Sequence, residues 1–396
     1  MTNDRLFKTT LHSGVGAVER RDWDRLFPED AEGWSYYAAC EGAPPPGFRF
    51  HALTVEHRGK VVAAAPFFHV TYRLDTPLQG AWRPFGDWLS RTVPKLVSLP
   101  VMGLGSPLAD RCHLGIDPGL GDVERVRAAE ALLDGLDAYA AEDGVPLLAI
   151  KDLAGHEAAF MHEPLLAAGF SRIAGLPVAV LDLPFKSVQD YIASLSANNR
   201  STLRRKLKSA GNVRVEFVRS IAVLEDKIFA LYESTRANSR FDYGDFEQLS
   251  PEYFKLTMQG LGERGACILC WVDDELLAFK LLFIEKHRVI DKFFGMRYPA
   301  GREHNLFFVS WMRAIQFCIE HGITTYQSGQ TAYEQKVRLG SRLDNLWVYF
   351  RHRGRVSNRI FKTFAPLVAF DRMDPELVQI RRRTAHSPAR RSPNYQ

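Results

Sequence analysis

The chain has 396 residues, 46% of them hydrophobic and 24% charged, and a formal net charge of +5, which excludes a low-complexity or disordered polymer and suggests two domains. No apolar run reaches the roughly 18 to 20 residues that span a bilayer, the longest candidate, Leu276 to Ile284, being interrupted by Lys280. Five scattered cysteines (Cys40, Cys112, Cys267, Cys270, Cys318) and an N-terminus without an export-type leader point to a reducing, cytoplasmic compartment.

In chain order, Asp22 to Cys40 reads as an aromatic-rich helical stretch. Phe50 to Glu56 and Lys60 to Val70 flank the turn His57-Arg58-Gly59 and read as an antiparallel hairpin. Val123 to Glu142 has helical spacing, Pro146 to Ile150 is a short buried strand, Glu157 to Ala168 a helix closed by Gly169, and Pro177 to Leu183 a strand that ends the first half. Val188 to Ala210 is a polar, basic helical connector.

The second half repeats that order. Ile221 to Arg236 is a helix, and Pro251 to Glu263 another, with Ser250 as N-cap and Pro251 at the first helical position. Cys267 to Val272 and Leu276 to Glu285 flank the turn Asp273-Asp274-Glu275, and His287 to Arg297 is a further strand. Leu306 to Glu320 is an apolar helix ended by Gly322, Ile323 to Ser328 a short strand, and Trp347 to His352 finishes the sheet. Each half thus predicts a mixed sheet with helices, an α/β (α+β) architecture. The implied division is residues 1–185, 186–355, and 356–396 as a C-terminal helix and a basic tail that is expected to be disordered from Arg381 onward.

Three segments carry a resemblance. Tyr191-Ile-Ala-Ser-Leu-Ser-Ala-Asn-Asn-Arg200, running on through Arg204-Arg205-Lys206, is similar to the opening of the GNAT acyltransferase family that includes cellulose-biosynthesis-type and Fem-like proteins. Gly322 to Gly340 (GITTYQSGQTAYEQKVRLG) resembles that family's closing signature, and the helix Asn305 to Glu320 stands between the two central strands as the family requires. The resemblance covers roughly residues 186 to 352 and implies two tandem GNAT-like domains, the first degenerate and the second catalytic. Two positions depart from it. Gln327 stands where many relatives carry Asp, and the loop Tyr298 to Asn305 has one glycine in place of the glycine-rich pyrophosphate loop.

The resemblance implies that the strand His287 to Arg297 splays from Ile323 to Ser328 and that an acyl donor enters the gap. Amides near Phe294, Gly295 and Met296 would face the donor carbonyl, and donor phosphates would sit by Arg302, His304 and Asn305 at a helix N-terminus. Tyr333-Glu334-Gln335-Lys336 is the candidate catalytic segment. On a helix Tyr333 and Lys336 share a face, so Lys336 can hold an anion or oxyanion, Glu334 can accept a proton, and Tyr333 can orient the amine. Arg240, Tyr243 and Gln327 are candidate acceptor contacts. Cys267-Ile-Leu-Cys270 lacks a second pair, so no metal is expected.

The implied activity is N-acylation of a small primary amine by acyl-coenzyme A as co-substrate, with no stable nucleic acid and no membrane span. The rival is a Fem-like transferase that draws on aminoacyl-tRNA, whose phosphates the basic connector Arg204, Arg205, Lys206 and Lys208 can meet. A third reading, a catalytically silent scaffold of polysaccharide or envelope synthesis, rests on Gln327 in place of a carboxylate.

Overall fold

The computed structural model describes residues 7–73, 92, 98–239, 248–365 and 374–385. The strands are β1 (Phe7–His12), β2 (Arg49–His57), β3 (Lys60–Arg73), β4 (Ser98–Leu104), β5 (Gly115–Ile116), β6 (Leu147–Ala154), β7 (Ser171–Ala174), β8 (Val178–Asp182), β9 (Arg214–Val218), β10 (Gly265–Val272), β11 (Glu275–Ile284), β12 (Arg288–Met296), β13 (Thr325–Gln327), β14 (Arg342–Asp344) and β15 (Leu346–His352). The helices are α1 (Arg20–Leu26), α2 (Trp34–Gly42), α3 (Asp122–Glu142), α4 (Gly155–Ala167), α5 (Val188–Ser194), α6 (Ala197–Ser209), α7 (Glu225–Ala237), α8 (Pro251–Leu261), α9 (Ala300–Glu303), α10 (Leu306–Glu320), α11 (Tyr333–Arg338), α12 (Arg355–Phe364) and α13 (Pro375–Ala385). Among the described residues no helix is long and apolar enough to cross a membrane.

Local chemistry accounts for the main boundaries. Both hairpins turn through paired left-handed residues, Arg58 and Gly59 (φ 53° and 77°) and Asp273 and Asp274 (φ 46° and 63°), the conformation that matches strand twist. Ser250 caps α8 by accepting the Tyr253 amide at 3.3 Å, with Pro251 inside the first turn. The α3 face bearing Ala128, Ala129, Leu132, Leu133, Leu136 and Ala140 is buried against the first sheet. β10 and β11 are apolar on both faces because α10 covers one side and α7 and α8 the other. Tyr191 anchors the connector, donating its hydroxyl to the Leu339 carbonyl at 2.8 Å while accepting the Trp311 indole N–H at 3.1 Å.

The first sheet runs β1-β2-β3-β4-β6-β15-β7, with β5 beside β3, and the second runs β14-β8-β13-β12-β11-β10-β9. This corrects the expectation that each half completes its own sheet. β8 leaves the first half and lies between β14 and β13, with Leu181 opposite Tyr326. β15 returns from the second half to lie between β6 and β7, Phe350 standing opposite both Ala149 and Ser171. The uninterrupted apolar run of β8 marks it as a central strand without saying of which sheet.

The basic connector is two helices, α5 and α6, broken at Leu195. At the C-terminus the expectation of disorder from Arg381 is corrected, because Arg381, Arg382 and Arg383 lie in α13. That helix packs Leu377 and Ile380 against Tyr333 and Leu176 and pairs Arg383 with Glu334 at 2.8 Å.

The strand exchange predicts that a cut at residue 185 deprives both sheets of an internal strand. Fragments 1–185 and 186–396 should each lack a cooperative unfolding transition by circular dichroism, and co-expression should restore one. A cooperative melt of 1–185 alone would contradict the interlocked topology.

Candidate active site

β12 and β13 pair in parallel for only three residues, Arg288 with Thr325, Val289 with Tyr326 and Ile290 with Gln327. Beyond them, Asp291 to Met296 continues along β11, while the other chain turns onto β8. There the Ser328 amide donates to the Ala179 carbonyl at 2.8 Å, and the Ala179 amide donates to Gly329 at 3.0 Å. The two strands therefore diverge at Asp291 and Ser328.

The apex of this divergence is a buried polar cluster. On the α10 side, Lys280 is fully buried and pairs with Asp291 beneath the rings of Phe294 and Phe307. Tyr326 donates its hydroxyl to the same Asp291 oxygen at 2.7 Å, and among the described residues the other oxygen has no hydrogen-bond partner. Lys336, 5% exposed, reaches in from α11 and donates to the Ser328 carbonyl. Burial pushes its pKa down to about 8, with Asp291 opposing and Lys280 reinforcing the shift.

On the opposite side of β12, Lys292 has a side chain only 3% exposed and bridges two carboxylates of the first half, Glu32 at 2.6 Å and Asp110 at 3.0 Å. Gln327 donates to Asp110 at 2.9 Å and accepts from Arg288 at 3.2 Å, so it joins both halves at the last paired position. Arg288 continues outward to Glu285 at 2.7 Å. Burial raises the pKa of Glu32 against the opposing charge of Lys292. Burial also works upward on Asp110, but Lys292 and the Gln327 amide outweigh it and hold that carboxyl below its usual range. His113, buried beside them, is held far below its usual pKa by desolvation and neighbouring cations, and its Nδ1 meets the Tyr37 hydroxyl at 2.6 Å.

The expected site residues divide between these surroundings. Tyr333 is fully buried and donates to the Pro177 carbonyl at 2.9 Å. Glu334 lies on the outer side of α11, bonded to Arg338 and Arg383 at 2.8 Å each, and the Arg383 hydrogen bond holds its pKa down. The Met296 amide donates to Thr235 Oγ1 at 2.8 Å. Gly295 lies against α7, where an added Cβ would stand 2.9 Å from the Leu231 carbonyl carbon. Phe294 packs edge-on against Phe307.

At the start of α10, Asn305 is left-handed and makes no side-chain cap. Its amide bonds instead with Lys206 at 3.2 Å and Ser209 at 3.1 Å, and His304 Nδ1 meets the Ala210 carbonyl at 3.1 Å. Arg302 lies over the Tyr298 ring. The end of α6 thus lies across the α10 N-terminus. Arg240 and Tyr243 fall outside the described residues.

The sequence reading missed Lys280, Asp291, Lys292, Asp110 and Glu32. A signal existed for three of them, because Lys280 interrupts the apolar β11 and Asp291-Lys292 interrupts β12.

Two stability predictions follow from this burial. Lys292→Met leaves Glu32 and Asp110 without their shared cation and should cost about 3 to 5 kcal/mol in urea denaturation; a loss under about 1 kcal/mol would show the pair to be hydrated. Lys336 holds fewer protons folded than unfolded between about 8 and its ordinary 10.5. Its stability penalty is therefore full below that window and lifts as pH rises through it. The stability gap between Lys336→Met and wild type should narrow over that range, and a gap constant with pH would contradict the shift.

Residues 119–366 match the model of a FemAB-like family described as peptidoglycan biosynthesis/recognition. Among curated proteins none matches the chain. Similar solved structures include FemX, at 13% identity and a TM-score of 0.59, covering 90% of this chain and 100% of that one. The C-terminal DUF2156 domain of a protein from Agrobacterium fabrum, assigned there as a lysylphosphatidylglycerol synthetase, has 12% identity and a TM-score of 0.53, covering 87% of this chain and 95% of that one. A tandem GNAT protein from the clavulanic acid pathway has 12% identity and a TM-score of 0.51, covering 88% of this chain and 99% of that one. These likenesses bear out the tandem GNAT-like fold of mixed sheets. With well over half its length matched by the family model, the chain belongs to the FemAB-like family.

Proposed function

We propose that this protein is an N-acyltransferase that moves an aminoacyl group from aminoacyl-tRNA to a primary amine at the apex between β12 and β13. The observation that carries the reading is the early parting of these strands, with the Lys336 ammonium at the point where they separate. The amine attacks the ester carbonyl carbon, the resulting oxyanion collapses, the bond to the tRNA ribose oxygen breaks, and that oxygen takes up the proton the amine has given up. Lys336 stabilises the oxyanion, and Asp291, on the same side of β12 with one carboxylate oxygen lacking a hydrogen-bond partner among the described residues, is the carboxylate to which the amine proton can pass. Glu334, committed to Arg338 and Arg383, tethers α11 to α13.

Two features support tRNA over acyl-coenzyme A as donor. Membership of the FemAB-like family agrees with the Fem-like reading. The α10 N-terminus, where a coenzyme A pyrophosphate would sit, is engaged by Lys206, Ser209 and Ala210, and its loop has a single glycine. Acyl-coenzyme A is the second reading, favoured by the likeness to a tandem GNAT protein.

The test is transfer of radiolabel to an amine panel from aminoacyl-tRNA and from acyl-coenzyme A. Aminoacyl-tRNA should support turnover, and transfer from acyl-coenzyme A alone would reverse the donor assignment. Lys336→Ala should lower kcat at least about tenfold. Wild-type activity should fall as pH rises through about 8, whereas Lys336→Arg, charged throughout, should lose that limb. Full activity of Lys336→Ala would remove Lys336 from the site.

A further inference from the structure

Helix α12 has an outer face that combines exposed aliphatic and basic side chains. Its inner side is firmly attached. Phe361 stacks on the His352 ring at 5.5 Å, Asn358 accepts the His352 amide at 3.0 Å, and Asn358 donates to the Gly169 carbonyl at 3.1 Å. The outer side presents Val356, 73% exposed, and Ile360, 53% exposed, one turn apart, with exposed Thr363 continuing the stripe. Arg355, Arg359 and Lys362 each precede one of these residues, so at 100° per residue a basic stripe runs parallel to the apolar one, and both face outward.

Among the described residues the charge of this face is uncompensated. From Asn345 to Phe370 the sequence contains no acidic residue, and among the described residues no carboxylate pairs with Arg355, Arg359 or Lys362. Arg353, at the helix entrance, pairs with Asp137 at 3.2 Å. Leu166, three residues before the Gly169 that Asn358 holds, is another exposed aliphatic side chain.

We infer that the outer face of α12 docks on the surface of a bilayer containing anionic phospholipid, with Val356 and Ile360 entering the headgroup boundary and Arg355, Arg359 and Lys362 pairing with lipid phosphates. Branched aliphatic side chains gain from leaving water for acyl chains, and basic side chains flanking them gain from a negative surface. A nucleic-acid surface offers the arginines a partner but leaves Val356 and Ile360 in water. The α6 stripe of Arg204, Arg205 and Lys208, exposed without such side chains, is the contrasting case. The helix lies on the surface and does not span it.

Cosedimentation of the full chain with vesicles of phosphatidylcholine alone, and of phosphatidylcholine mixed with phosphatidylglycerol, tests this. The mixed vesicles should retain the protein at least about tenfold better, and added salt should weaken retention. Arg355→Gln/Arg359→Gln/Lys362→Gln should abolish the preference. Val356→Ser/Ile360→Ser should reduce retention by a comparable factor with an unchanged melting temperature, since these side chains stand outside the core. Arg204→Gln/Arg205→Gln/Lys208→Gln on α6 should bind as wild type. Equal retention on both vesicles, or loss of binding in the α6 variant and not in the α12 variants, overturns the proposal. So does tRNA binding that needs the three α12 cations but is indifferent to Val356 and Ile360, an outcome that would make the face a nucleic-acid surface.

Discussion

The Lys292 ammonium, enclosed between Glu32 and Asp110, is the interaction on which the arrangement of the two halves depends. An ammonium left without a carboxylate at this depth is costly, and so are two carboxylates left without a cation. Each half therefore carries a charge set that only the other half can satisfy. Such an arrangement specifies relative placement more than it adds net stability, because desolvation offsets most of the attraction. Its geometric result is local. Asp110 is held where the Gln327 amide reaches it, and Gln327 is the last residue of β13 paired to β12. The charged joint between the halves and the parting of the strands thus occupy one place.

The strand exchange makes this joint permanent. β8 and β15 cross between the sheets in opposite directions, so neither sheet closes without the other half of the chain. The family match, residues 119–366, begins near the start of α3 and takes in both exchanged strands and the whole second sheet. Glu32 and Asp110 lie before it. The family's region therefore provides the strands that separate, and the preceding segment provides the carboxylates that neutralise one side of them.

Most of the elements were legible in the sequence because their signals are local. The Arg58-Gly59 and Asp273-Asp274 turns, the Ser250 cap and the α10 periodicity each depend on a few neighbouring residues. The destination of β8 was not legible, since an apolar strand carries no mark of the sheet it joins. The α11 helix and the shared face of Tyr333 and Lys336 were legible as well, but their burial was not. Tyr333 reads as a site residue until its hydroxyl is seen to be taken by Pro177. The charges of β11 and β12 were visible as breaks in apolar runs, yet the partners of Lys292 lie 260 and 182 residues away, beyond any local pattern.

The electrostatics of the apex single out Lys336 among its three lysines. Lys280 is paired with Asp291 and Lys292 with Glu32 and Asp110, so both ammoniums are compensated by carboxylates in contact. Lys336 donates to a main-chain carbonyl, and two of the carboxylates near it, Asp291 and Asp110, already serve the other two. A transient negative charge arising beside it improves its surroundings, whereas the same charge beside Lys280 or Lys292 would compete with a pair already formed. The depressed proton affinity of Lys336 and the oxyanion role proposed for it thus have one physical origin, a buried cation whose compensation is left incomplete.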